Sequence, residues 1–408
     1  MRSSPAINRT MWFFAIVYAV EGIGQAKSGI MWQPLSHWLK VTLHWDPVMI
    51  SASLAILDLP WVIKPIWGAI SDFVPLFGYR RRPYLVLANL AAFAAFAWVA
   101  RIDTSSALIP ALTVTAFAMA ISSTLCGALL VETGQKNNST ASVVNQQWLW
   151  FNIAQMITTV LSGYLIEMLS PTGALHAAAW IAAVAPLAIV AAVWLIREPR
   201  ARIDLEALRE RLGALMSVFR NRDLWLTGGF LFLYYFSPHF GTPMYFYMSD
   251  KLGFSQGFIG WLSAFGAAGW ILGGLLFRWR LDHLPRPVLL RLSIVGGVIS
   301  TLATLALIGP GTAIVIWVLS GVTSMIAMIA TMSLAADACP EGAEGFAFAA
   351  MMSIVNLTSP ISDTLGSALY EHVFDQRLAP LILVSAAATA LVFFLVPLML
   401  FRPPRAAA

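Results

Sequence analysis

The chain has 408 residues, 59% of them hydrophobic and only 11% charged, with a formal net charge of +5. Soluble domains carry about 25% charged residues, so a chain this apolar cannot bury its surface in a water-soluble core and must use lipid as its main solvent. The basic excess then belongs to loops on the cytoplasmic side rather than to nucleic-acid binding, and two distant cysteines, Cys126 and Cys339, give no disulfide framework.

A bilayer core of about 30 Å takes about 20 apolar residues per helix. On that measure the sequence predicts an all-α membrane protein with twelve spans. Their cores lie at 11–35, 48–70, 84–100, 107–131, 146–168, 175–196, 224–248, 256–278, 288–308, 312–336, 345–369 and 379–401. The runs are continuous rather than alternating, which excludes a barrel of transmembrane strands. The first run continues too far for a cleaved leader and is expected to stay as a span.

In the first span, "AVEGIGQAKSGIMW" (Ala19–Trp32) sets Glu21, Gln25 and Lys27 among glycines. A charge at the bilayer centre costs at least about 2.5 kcal/mol, so such residues face the bundle interior and have a partner or a task. On a continuous helix Glu21 and Lys27 point about 120° apart, so Lys27 is expected to look to another helix, where Asp363 has a comparable depth. In the second span "AILDLPWVIKP" places Asp58 at the depth of Glu21, and Lys64 near enough to the inner face to snorkel. The expectation is that Lys27 receives an anionic group of a substrate while Glu21 or Asp58 binds a coupling proton. The other reading is a network in which Glu21, Lys27, Asp58 and Asp363 neutralise one another and brace the helices.

Gln146, Gln147 and Asn152 open the fifth span, beside Trp148 and Trp150. With Tyr234 and Tyr235 these aromatics offer faces for a flat ring, although aromatics this numerous also belong to interface belts. The most polar segment, 197–222, contains "RIDLEALRERLGALMSVFRNR", with Leu205, Leu208, Leu212 and Leu215 at helical spacing. It reads as a helix on the inner membrane surface that separates two halves, residues 1–196 and 223–408. In the seventh span His239 follows a proline in "YYFSPHFGTP". Helix-breaking prolines free carbonyls that must face protein or a cavity. Asn356 and Asp363 mark the eleventh span. Asn356 and Glu371 repeat the 15-residue spacing of Asn152 and Glu167, modest support for a duplicated half.

Of 25 basic residues, 19 fall on alternate loops with the termini and four on the other set, which predicts both termini in the cytoplasm. No G-x-x-x-x-G-K-[ST] loop occurs, so ATP hydrolysis is not expected. No ligand spacing suggests a metal, no cofactor is implied, and His239 has no motif-backed serine partner, so an enzyme is not expected either.

More specific is "GAISDFVPLFGYRRRP" (Gly68–Pro83), which resembles the loop motif between helices 2 and 3 of major facilitator transporters. Together with "LPWVIKPIWG", "PMYFYMSDKLGFSQGFIG" (Pro243–Gly260) and "CPEGAEGFAFAAMMSIVNLTSPISDTLGSAL" (Cys339–Leu369), the chain looks like the folate–biopterin transporter family. The resemblance implies the major facilitator fold, two pseudo-symmetric six-helix bundles. It also implies a gate in which Asp72 faces the start of helix 11 and Arg80 supports it, with Arg81 and Arg82 facing acids or lipid phosphates or serving topology alone. Two departures stand out. The family pattern D-V-x-x-D-A-L-V-V-E in helix 4 reads here "STLCGALLVE", with Ser123 and Gly127 at the aspartate places, and Glu21-Gly22 stands where Gln-Gly is usual.

The expected function is secondary active transport of a small organic solute, a pterin- or folate-like or other organic anion. It would cross a bacterial inner membrane by alternating access with proton coupling, carried by a monomer among membrane lipids. The site is expected to comprise Glu21, Gln25, Lys27, Asp58, Asn152, Tyr235, His239, Asn356 and Asp363, converging on one hydrated pocket. The alternative is a non-transporting membrane scaffold or assembly factor for a pigment or cofactor complex.

Overall fold

The structure, a computed structural model, describes residues 5–25, 27–136, 140–196, 198–200, 220–339 and 344–399. It is helical, and no strand occurs among the described residues. The chain separates into two compact units. One comprises Met1–Leu212 with Ser255–Ala264, the other Gly213–Phe254 with Phe265–Ala408.

The helices of the first unit are α1 (Pro5–Gly24), α2 (Trp32–Val41), α3 (Pro47–Ala55), α4 (Leu59–Val62), α5 (Lys64–Phe73), α6 (Arg82–Val99), α7 (Ser105–Lys136), α8 (Thr140–Met168) and α9 (Pro171–Ala192). Two of them start on side-chain caps followed by proline. Asp46 accepts from Met49 N at 2.7 Å before Pro47, and Ser170 accepts from Gly173 N at 3.1 Å before Pro171. Each cap satisfies an orphan donor while proline takes a position that needs none. Small residues then let the helices approach. α1 packs on α8, where a Cβ on Gly22 would meet Phe151 O and Ala154, and α6 packs on α7 and α9, with alanines such as Ala88 and Ala92 on α6 and Ala178 and Ala182 on α9 buried. Without a hydrophobic drive between helices in lipid, such close packing is what holds them.

The second unit holds α10 (Arg222–Tyr235), α11 (Gly241–Phe246), most of α12 (Gln256–Leu276), α13 (Arg286–Ala303), α14 (Pro310–Ala338), α15 (Glu344–Ala368) and α16 (Leu378–Leu391). Asn221 caps α10 by accepting from Asp223 N and Leu224 N. α13 packs on α14 and α16, and α10 packs on α15 around Leu224, Leu231, Ala347 and Met351.

Nine helical segments among the described residues are long and apolar enough to cross a membrane. The other three expected spans are helical but interrupted or polar. The first is split between α1 and α2, the seventh between α10 and α11, and the eleventh, α15, is rich in Ser, Thr and Asn and ends in a wide turn at Leu369–Val373. The amphipathic linker helix expected at 197–222 lies almost wholly outside the described residues, as does the stretch before α15 that the gate motif was expected to face.

Candidate functional site: two broken helices and a buried carboxylate

The expected continuous first helix is not observed: α1 stops at Gly24 and α2 begins at Trp32. The turn is held by its own groups. Gly29 N donates to Gln25 O at 2.8 Å, Ile30 N to Ile23 O at 3.1 Å, and Ser28 Oγ to Gln25 Oε1 at 2.6 Å. A Cβ on Gly29 would overlap Ile23 O, so only glycine closes this loop. Gln155 Nε2 on α8 donates to the freed Ser28 O at 3.2 Å, and Thr158 Oγ1 reaches Gly22 O. Non-helical backbone at membrane depth survives only where protein satisfies it in this way.

Lys27 therefore sits in a break rather than on a helix face, and the helical angle between it and Glu21 does not apply. Its Nζ lies 2.6 Å from Asp58 Oδ2, with both side chains about one-fifth exposed. Asp58 sits in a second irregularity, the 3-10 turn Ile56–Asp58 ahead of α4. The cause is local: Pro60 and Pro65 deny two backbone donors, and Trp67 Nε1 takes the Pro60 carbonyl at 3.0 Å.

The second unit repeats the device. α10 ends at Tyr235 and α11 begins at Gly241, with Pro238 between them. His239 N donates to Ser362 O at 2.9 Å on α15, and Gly366 lies so close behind that a Cβ there would strike the His239 backbone. His239 Nδ1 lies 2.7 Å from Asp363 Oδ1 and 3.3 Å from Gly241 N. The shorter contact needs a proton between imidazole and carboxylate; with that hydrogen on Nδ1 the nitrogen has no lone pair for Gly241 N–H, so in that tautomer the 3.3 Å approach is not a hydrogen bond. His239 is 57% exposed and Asp363 19%, so the imidazole is accessible while its anchor is covered.

Glu21 occupies a separate place on α1. It is 8% exposed, accepts from Ser123 Oγ on α7 at 3.0 Å and from Gln25 Nε2 at 3.3 Å. Gln25 thus links the buried carboxylate to the broken turn. Lys64 was expected to snorkel to the inner face. Instead its Nζ points inward, 3.5 Å from Ser123 Oγ and 4.3 Å above the Trp61 ring. The two departures from the family pattern are therefore in contact, with the carboxylate on α1 and a hydroxyl on α7.

The remaining candidates are dispersed. Asn152 is buried and spends its amide on Trp148 O at 2.7 Å within its own helix, Tyr235 OH pairs with Thr331 Oγ1 at 2.7 Å, and Asn356 is half-buried on α15. Tyr234 and Tyr235 meet edge to face, centroids 5.3 Å apart, and Tyr234 OH donates to Ser293 Oγ. Asp72 lies on α5, and its side chain is outside the described residues. At Arg80 the main chain is what engages. The N–H groups of Arg80, Arg81 and Arg82 donate to the Glu198 carboxylate at 3.0, 2.9 and 3.0 Å. Sequence reasoning missed Thr331 and Glu198, named Ser123 only as a departure from the family pattern, and gave Lys64 the wrong direction. For Ser123 a signal existed, since it replaces an acid in the family pattern just where α1 carries an extra one.

A family model described as the BT1 family matches residues 23–405. A folate-biopterin transporter of Synechocystis sp. is 30% identical over 403 residues, covering 92% of this chain and 78% of that protein. A probable folate-biopterin transporter of Arabidopsis thaliana is 26% identical over 385 residues, covering 88% and 76%. Among solved structures, the D-xylose-proton symporter superposes with a TM-score of 0.72 at 14% identity, covering 98% of this chain and 97% of that one. The nucleoside transporter NupG does so with a TM-score of 0.69 at 14% identity, covering 98% and 100%. Relationships this distant speak for the fold, whereas the family match speaks for descent. The chain therefore belongs to the BT1 family, a multi-pass membrane transporter of the major facilitator fold rather than an enzyme, with folate–biopterin transporters among its relatives.

Proposed function

We propose that this protein is a secondary active transporter that carries a small organic anion, pterin- or folate-like in chemistry, by alternating access coupled to a proton. It works as a monomer in a bacterial inner membrane with twelve spans in two six-helix halves and both termini in the cytoplasm. The observation that carries this reading is the Lys27–Asp58 pair at the break between α1 and α2. At this break the Lys27 ammonium exchanges the Asp58 carboxylate for an anionic group of a substrate; one charge pair replaces another, and the cost is that of freeing Asp58, whose side chain is about one-fifth exposed. The His239–Asp363 pair at the α10–α11 break offers a donor of the same kind on an accessible ring. The family supports the substrate class, since its named relatives are folate–biopterin transporters. The fold supports the alternating mechanism, which broken helices at binding regions serve.

The test is flux into proteoliposomes holding purified protein, with folic acid and biopterin as probes, with and without an inward proton gradient. Uptake that needs the protein, is enhanced by the gradient and is lost in Lys27→Gln upholds the reading. Absence of flux for every organic anion tried, with the protein folded, favours the scaffold role instead.

A further inference from the structure

Glu21 has one oxygen with nowhere to go. Oε1 accepts from Ser123 and Gln25, but Oε2 is buried and has no hydrogen-bond partner among the described residues. An ionised carboxylate there leaves lone pairs unanswered in a low-dielectric site, which is costly. A protonated one carries no charge and places its hydrogen on Oε2. The titratable groups facing it are Tyr18 from α1, Cys126 from α7 and Lys64 from α5. The Tyr18 hydroxyl is also buried without a hydrogen-bond partner among the described residues. Of these, Lys64 is the cation, and it reaches the carboxylate through Ser123, whose Oγ lies 3.5 Å from Lys64 Nζ and 3.0 Å from Glu21 Oε1. A hydroxyl donates once and accepts twice, so Ser123 gives its hydrogen to Glu21 and takes one from Lys64.

We propose that Glu21 is the proton-loading site of this transporter, with Ser123 and Lys64 as its positioning residues. The proposal rests on the proton-coupled reading above and names the acid which that reading leaves open. In the unloaded state the Glu21 carboxylate is balanced by the Lys64 ammonium through the Ser123 hydroxyl. On loading, hydronium gives a proton to Oε2: one O–H bond forms, one breaks, and water leaves. Lys64 then loses its counter-charge. Because Lys64 opens α5 directly after the irregular residue Ile63, the uncompensated charge acts beside a break in the helical geometry of the second span. Asp58 pairs with Lys27 in this structure, so proton and substrate are given separate sites, Glu21 for the one and Lys27 for the other.

Infrared difference titration of the purified full chain in lipid reads this directly. Wild type is expected to show a protonated-carboxyl C=O band that titrates with pH. It persists in Asp58→Asn, vanishes in Glu21→Gln, changes frequency in Ser123→Ala and has a displaced midpoint in Lys64→Gln. A band that persists unchanged in Glu21→Gln, or that vanishes only in Asp58→Asn, overturns the assignment. If Glu21→Gln is poorly folded, Glu21→Asp must restore a band at a shifted frequency. In proteoliposomes, Glu21→Gln should keep folic acid counterflow and lose accumulation driven by the pH gradient. Loss of counterflow in a folded variant also overturns the proposal, since Glu21 would then bind substrate. Should wild type exchange no folic acid, the substrate reading falls, and the infrared band alone decides the proton site.

Discussion

Lys27 Nζ meets Asp58 Oδ2 at 2.6 Å across 31 residues of chain, joining the break in the first span to the break in the second. Removing either partner leaves the other charge facing a poor dielectric, at about 1–3 kcal/mol. Lys27→Gln and Asp58→Asn are each expected to lower the melting temperature in detergent. The double variant should be more stable than the sum of the two losses allows. Strictly additive losses would mean that the pair carries no coupling.

Gly366→Ala tests the second break. A Cβ at 366 would overlap the His239 backbone, and overpacking of this kind costs about 1–3 kcal/mol or more. Gly229→Ala is the control, because a Cβ there meets nothing within 4 Å. Thermal melting should fall for the first and hold or rise for the second.

Glu198 gathers three consecutive amides at the start of α6. A carboxylate at a helix N-terminus both satisfies orphan donors and complements the dipole. Glu198→Ala should cost about 1–2 kcal/mol and speed hydrogen exchange at residues 80–82, by analogy with loss of an N-cap. Unchanged exchange there would show that water replaces the carboxylate.

Glu167 performs a similar task for α12 within the first unit. Its Oε1 accepts from Gly257 N at 2.7 Å, and a Cβ on Gly257 would stand 2.9 Å from that carboxylate. Gly257→Ala should destabilise, and Glu167→Gln should cost about 0.3–1 kcal/mol, the value of a charge at a helix terminus. Equal stability of Glu167→Gln and wild type at low ionic strength would leave only the hydrogen bond.

The helical class, the lipid solvent and most of the span positions followed from hydropathy, because length and apolarity alone decide what a bilayer accepts. The family was likewise legible, in motifs such as Gly68–Pro83 and Cys339–Leu369. Pro238 announced the break before His239.

Which charge meets which was not legible. A 3.6-residue period assumes an unbroken helix, and Gln25–Met31 is not one, so the angle between Glu21 and Lys27 carried no information. Lys64 had the sequence position of a snorkelling residue, yet its ammonium turns inward because Ser123 and the Trp61 ring are there to receive it. The chain by itself determined that polar groups would be buried in a membrane protein and had to be partnered. Only tertiary structure decided the partners, because residues far apart in sequence satisfy one another wherever helix breaks bring them within a few ångströms.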